Sequence, residues 1–318
     1  MKKISYVFIL LAGILWGCIG LFVRTLNAKD LGSMDIVFLR AIVTAVAMTL
    51  YLLLFNKKLL IIKLKDIWCF LGTGIASIAF FNFCYFKCIT ASSLSVASVL
   101  LYTAPAIVMV LSYFLFHERF TVRKAVSLVM TFAGCVCVTG ALDGLDNVSP
   151  KGLLYGFGAG LGYALYSIFS RYAIDKDYHS LTITCYTFII TSIATVFFTD
   201  TGRIIGVVSE SWSMVWLILA LGVVCTVVPY LLYTLGLVHV ENSRASIVAS
   251  IEPVTATLIG AVVFREKLSM EGVLGVVLVI AALVICNSSS GDRVKINEKN
   301  IGEITRPSEP KSPGGFCV

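Results

Sequence analysis

Two ionisable side chains, Arg40 and Glu252, fall inside long apolar stretches of a chain that is otherwise sparing with charge. An ionisable group near the middle of a bilayer costs roughly 2.5–3.5 kcal/mol on insertion scales, so it is expected to serve function and to face a protein interior. A guanidinium can hold an anion, and a carboxylate can take a cation or a coupling proton. One of each would suit a zwitterion such as an amino acid. The plainer alternative is that Arg40 and Glu252 satisfy each other, or backbone carbonyls, as a fixed pair. Trp16, Asn82, Tyr85, Tyr102, Tyr163, Tyr230, Tyr233 and Ser250 share the same kind of surroundings. A polar tip inside a helix bundle needs a partner or water, so these residues are read as lining a substrate path. Pro105 and Pro253 each remove a backbone donor and unsettle the turn before them; hinge and static kink are the two readings.

The elements that must carry these residues follow from composition. The 318 residues are 58% hydrophobic and only 14% charged, with a mean hydropathy of +0.93, far from the roughly 25% charge of soluble domains. A helix needs roughly 20 apolar residues to cross the hydrocarbon core. Such runs recur at 4–24, 34–55, 67–88, 94–116, 123–142, 151–172, 180–199, 213–236, 243–264 and 271–287. Backbone groups in lipid must be satisfied within the segment, so the runs are expected to be helices. The first is too long for a signal peptide and leads straight into a second span. Ser243, Ser246, Ser250, Pro253, Thr257 and Gly260 trace one small, polar face of the ninth run. Ser95, Ser98, Tyr102, Pro105, Met109 and Ser112 do the same on the fourth. The fifth and tenth runs carry no ionisable group in their middles and read as peripheral scaffold or a contact in a possible homodimer.

The ninth run also repeats the fourth. From Ser95 onward a gapless alignment at a spacing of 148 residues matches Ser95 with Ser243, Pro105 with Pro253, Phe116 with Phe264 and Glu118 with Glu266; Tyr85 matches Tyr233. With one residue of slippage Gly13 aligns with Gly160, Trp16 with Tyr163, and Arg24 with Arg171. The expected halves are 1–147 and 148–287, followed by a hydrophilic tail, 288–318, that reads as disordered and cytoplasmic. Each half would hold five spans, an odd number, so the second must enter the membrane from the opposite side. The fold class expected is therefore an all-α membrane protein with ten transmembrane helices, two inverted five-helix repeats around a central cavity. Inverted repeats of this kind place substrate near the midplane and make two access states close in energy.

The mid-helix proline followed by a Phe-x-Glu-Arg/Lys turn, once per half, together with Leu15–Trp16–Gly17, Leu39–Arg40 and Glu252–Pro253, resembles the EamA-like family of the drug/metabolite transporter superfamily. The resemblance covers about 4–287. It implies two inverted five-helix units around a central cavity, and export or uptake of amino acids, sugars, nucleotides or drugs.

Charge distribution supplies the orientation. With the N-terminus inside, seventeen of the 25 Lys and Arg fall on the cytoplasmic side, Lys57, Lys58, Arg119, Arg123 and Lys124 among them. The positive-inside rule then gives both termini to the cytoplasm of a multi-pass plasma-membrane protein. The basic balance thus reports topology and no nucleic-acid partner; the partners expected are a small-molecule substrate and the lipid bilayer. The four glycines at Gly156, Gly158, Gly160 and Gly162 do not fit a dinucleotide fingerprint, and no phosphate-binding loop is present. His117, His179 and His239 lie at separate helix ends, so neither metal nor cofactor is expected. Nine of the ten cysteines lie in or beside apolar runs and read as small packing residues. The Asn147–Val148–Ser149 sequon falls in an expected outer loop. The clustered acid–base or nucleophilic groups of a membrane enzyme are missing, and the polar stripes argue against a mere scaffold. The function expected is a secondary carrier of small polar metabolites by alternating access, an exporter first, with proton-coupled uptake or a passive facilitator as alternatives.

Overall fold

A computed structural model describes residues 2–140, 149–266 and 269–288. Asn147 and Val148 of the sequon, Lys267, and the tail from 289 on, Cys317 included, lie outside the described residues. Among those described there is helix and no strand. The long helices are α1 (Lys3–Asn27), α2 (Ser33–Phe55), α3 (Leu64–Ala91) and α4 (Leu94–Phe116), then α5 (Val122–Val138). They continue with α6 (Pro150–Asp175), α7 (Ser180–Phe198), α8 (Trp212–Leu237), α9 (Asn242–Val263) and α10 (Met270–Asn287). Nine of these, all but α5, have at least 18 residues and the apolar character of a membrane span. Helix α5 has 17 residues. The chain is thus a multi-pass membrane protein. Its lipid-facing surface is what such a chain requires: Leu54, Phe114, Val129, Leu154, Trp216 and Val262 are exposed, whereas α1 buries Ile9, Ala12 and Trp16.

Several spans are not continuous α-helix. Helix α4 breaks at Tyr102–Thr103 and α9 breaks at Ser250–Ile251. In each the break comes just before a proline near the start of the second half-helix, Pro105 in Ala104–Phe116 and Pro253 in Glu252–Val263. Proline is preorganised for the first turn of a helix and has no N–H to leave unpaired there. Helices α3 and α8 each contain a π-helical stretch, Gly72–Ala79 and Val223–Val227, a feature that often marks functional sites. Helix α1 is broken at Cys18, where no proline stands.

The elements pair through glycines. A Cβ on Gly13 of α1 would come within 2.7 Å of the Ala249 carbonyl oxygen, so α1 lies directly on the break in α9. A Cβ on Gly160 of α6 would come within 2.9 Å of the Leu100 carbonyl oxygen at the break in α4. Such small residues let helix backbones approach closely in a membrane. Helices α5 and α10, expected at the periphery, cross at Gly134 and Gly275, each of which faces the other's carbonyl. Their small-residue faces are therefore spent on each other within one chain.

Candidate functional site

The site is built where α1, α3, α6 and α8 converge. Trp16 of α1 is the hub: its ring centroid lies 5.1 Å from that of Tyr230, 5.3 Å from that of Tyr233 and 6.4 Å from that of Tyr163. Tyr166 and Phe188 pack edge-on against Tyr230 at 5.0 and 4.8 Å. Edge-to-face pairs at these separations are favourable beyond the area they bury. Together with Ser77, Ile78, Phe81 and Ser167, the aromatic group of Trp16, Tyr163, Tyr166, Tyr230 and Tyr233 lines a cavity of about 20 Å³. That is room for one water. A larger guest among these rings requires them to turn.

The two buried charges flank this cluster. Arg40 is 8% exposed; its Nη2 donates to the Tyr230 hydroxyl at a long 3.5 Å, and its Nε has no hydrogen-bond partner. Glu252 is the first residue of its half-helix, where the partial positive charge of a helix N-terminus favours a carboxylate. It accepts a hydrogen bond from the Tyr163 hydroxyl at 3.1 Å. Among the described residues no ion pair joins Arg40 to Glu252. The connection between them runs Arg40, Tyr230, Trp16, Tyr163, Glu252, through ring contacts and two hydrogen bonds. The two side chains thus do not pair directly. Glu252 stands at the helix break, in the turn that Pro253 was expected to unsettle.

The remaining candidates divide. Tyr233 donates to or accepts from Ser167 at 2.6 Å, beside the cavity. Tyr85 reaches Ser98 at 3.2 Å and so ties α3 to α4. Asn82 turns back on its own helix and donates to the Ile78 carbonyl at 2.8 Å. Ser250 likewise reaches the Ser246 carbonyl at 3.1 Å. Tyr102 stands at the α4 break and packs with Cys135 and Val254. Pro105 and Pro253 are buried at the two breaks.

A sequence model of the EamA-like transporter family matches residues 3–140 and, a second time, residues 150–288. The chain belongs to that family. A protein of Archaeoglobus fulgidus named as an uncharacterized transporter is 30% identical over 87% of this chain and 94% of its own length. One of Clostridium kluyveri, with the same name, is 24% identical over 91% of this chain and 94% of its own. A solved crystal structure superposes with a TM-score of 0.75 at 16% identity, covering 90% of this chain and 97% of that one; this likeness concerns the fold. The chain is a membrane transporter of the EamA-like type.

The EamA-like site contains residues that no sequence signal singled out. Tyr166, one turn after Tyr163 on α6, and Phe188 on α7 complete the aromatic cluster. The i, i+3 spacing of Tyr163 and Tyr166 could have pointed to the first; Phe188 is one apolar residue among many. Away from the cluster, charged contacts tie helix ends together. Asp66 binds Lys176 at 2.6 Å and Tyr178 at 3.0 Å, fastening the start of α3 to the end of α6. Its hydrogen bond holds the Lys176 ammonium above the ordinary lysine range. No group of three or more His, Cys, Asp or Glu suited to a metal occurs among the described residues.

Proposed function

We propose that this EamA-like transporter is a secondary carrier working by alternating access, and that its substrate is a small metabolite bearing both an anionic and a cationic group. Arg40 carries the reading. A guanidinium buried in the bundle, with an unpartnered Nε and no ion pair among the described residues, has a donor left for an anion. The cost of holding it there is offset when one arrives. Glu252, beyond the Trp16 ring, takes the opposite end of the substrate, and the rings of Trp16, Tyr163 and Tyr230 close over its middle. Tyr85, Tyr102, Asn82 and Ser250 stand on the path to that site, and Pro105 and Pro253 are the hinges.

In this reading α5 completes ten spans, in two inverted halves at 1–147 and 148–287. The double family match supports it, as do the paired helix breaks and the pairing of α1 with the α9 break and α6 with the α4 break. Both termini are cytoplasmic, the membrane is the plasma membrane, and the direction is export. The basis is the asymmetry of Lys and Arg and, for direction, the family resemblance.

The test is counterflow in proteoliposomes loaded with a pool of unlabelled amino acids, nucleosides and sugars. We expect exchange of a zwitterionic class. Losing a hydrogen bond to a charged partner costs about 1.5–3 kcal/mol, so Arg40→Ala weakens substrate affinity about 10- to 150-fold. Glu252→Gln should impair exchange comparably. Leak without exchange points to a facilitator, and exchange that survives both substitutions moves the substrate away from this site.

A further inference from the structure

Helices α4 and α9 end in the same turn. His117 and Arg265, 148 residues apart, both adopt left-handed backbone, with φ of 53° and 55°. The next residue in each case is a glutamate whose N–H donates to the carbonyl six residues earlier, Glu118 to Ser112 at 3.2 Å and Glu266 to Gly260 at 3.1 Å. The backbone thus presents two carboxylates in equivalent ways, and only their partners differ.

Glu118 caps α9. It accepts from the backbone amides of Asn242 and Ser243 at 2.7 and 3.2 Å and from the Ser243 hydroxyl, with Lys124 Nζ at 3.5 Å. These amides belong to the first turn of a helix, which has no partners of its own for them. Glu266 lies at the other end of the same 22-residue span, roughly 33 Å away at 1.5 Å per residue. It pairs with Arg24 at 2.6 Å, both side chains being more than half exposed. Since α4 ends where α9 begins, α4 must begin at the Glu266 end. The amides matching Asn242 and Ser243 at the 148-residue spacing are those of Leu94 and Ser95, opening α4. There Ser93 supplies its own hydroxyl, accepting from the Val96 amide at 3.2 Å.

The arginines differ in the same sense. Arg171 on α6 donates to the Leu237 carbonyl at the end of α8, at 2.8 Å, and pairs with Asp175 on its own helix at 3.3 Å. Its counterpart Arg24 on α1 reaches Glu266 instead.

We infer that Glu118 and Glu266 are two locks used in turn, one at each end of the bundle, with this structure holding the Glu118 lock closed. In the second access state Glu266 leaves Arg24 and caps α4 at Leu94 and Ser95, while Glu118 leaves α9 and pairs with Arg171. Each state then has one glutamate on a helix N-terminus and one on an arginine, while Lys124, beside Glu118 and Glu241, braces the state seen here and has only Gly272 as its counterpart. Glu118 and Glu266 are positioning residues, acting through the ends of α9 and α4. This inference rests on the alternating-access reading.

Hydrogen–deuterium exchange of the full-length chain in lipid nanodiscs tests it. Glu118→Gln should speed amide exchange in 242–249 and, by shifting the population, slow it in 94–101, each several-fold. Glu266→Gln should do the reverse. A merely local cap would loosen 242–249 in Glu118→Gln and leave 94–101 alone; either variant without the opposite change overturns the locks. Should a glutamine variant fold poorly, Ser95→His/Glu266→His with nickel(II) as the probe decides. Nickel should slow exchange in 94–101 and speed it in 242–249, and no nickel-dependent change overturns the proposal. Counterflow in the same preparations separates the two ideas. Active exchange without reciprocity removes the locks and keeps the carrier, whereas reciprocity without counterflow keeps the locks and removes the carrier.

Discussion

Thr44 on α2 and Thr191 on α7 stand 147 residues apart and have the same surroundings. The Thr44 hydroxyl lies 2.7 Å from the Arg40 carbonyl and 3.2 Å from the Gly222 carbonyl, in α8. That of Thr191 lies 2.8 Å from the Thr187 carbonyl and 3.2 Å from the Gly74 carbonyl, in α3. A Cβ on Gly222 would strike Val43, and one on Gly74 would strike Ile190, again a pair 147 apart. The two halves thus agree down to single contacts in how helices are joined. They part where chemistry is needed. Arg40 corresponds to Thr187, which meets Thr73 hydroxyl to hydroxyl at 2.6 Å, and Glu252 corresponds to Ala104. Tyr230 of the cluster corresponds to Asn82, which is turned away. Symmetry belongs to the frame and asymmetry to the site. In the carrier proposed above, matched halves allow two mirrored states, while one substrate needs only one cation and one carboxylate.

The largest effect expected from breaking this comparison is at Lys124, which has Gly272 as its counterpart. Its side chain is 3% exposed and bonds Glu241 at 3.0 Å and Glu118 at 3.5 Å. Removing one member of a buried ionic cluster leaves the rest uncompensated, at a cost of about 3 kcal/mol. Lys124→Met should lower thermal stability by that order in detergent, whereas Glu266→Gln, which breaks the half-exposed pair at the other end, should cost less than about 1 kcal/mol. Equal effects would mean that the Glu118 end is not specially braced. The glycine contacts come next. Gly13→Val and Gly160→Val each push a side chain into a backbone carbonyl at 2.7 and 2.9 Å, and overpacking costs about 1–3 kcal/mol. Both should destabilise to a similar degree, and a change at one alone would break the equivalence of the two pairings.

How much of this was legible in the sequence varies by residue, for physical reasons. Arg40 and Glu252 stood out because charge is costly in an apolar run, and Trp16, Tyr163, Tyr230 and Tyr233 because hydroxyls and ring N–H groups need partners there. The spans followed from length and hydropathy. The helix breaks were partly legible, since Pro105 and Pro253 flag them, but Cys18 does not: its N–H is shared between the Ile14 and Leu15 carbonyls at 3.3 and 3.2 Å, a geometry that no residue type announces. Asn82 read as a site residue because a buried amide needs a partner, yet its own helix offers one at Ile78. Glu118 was legible as a repeated motif at a helix end but not in its partner, because the amides it caps lie 124 and 125 residues further along the chain. Phe188 gave no signal, since its place in the cluster depends on packing alone.

The smallest effect is also the sharpest test of the shared frame. Thr44→Val and Thr191→Val each keep the shape of the side chain and remove one hydroxyl that bridges two helices. Interhelical hydrogen bonds within membranes average about 0.6 kcal/mol, because the separated helices find other partners, and each hydroxyl here also serves a carbonyl of its own helix. Each substitution should therefore cost less than about 1 kcal/mol and lower the melting temperature by nearly the same small amount, with the double variant additive, as independent sites are. The two sites do differ in one respect: Thr44 bonds the carbonyl of Arg40 itself. If Thr44→Val costs no more stability than Thr191→Val but weakens substrate exchange more, the threonine on the charged side orients Arg40 as well as joining helices. Equal effects on stability and on exchange would confine both threonines to the frame, leaving Arg40 to be oriented by Tyr230 alone.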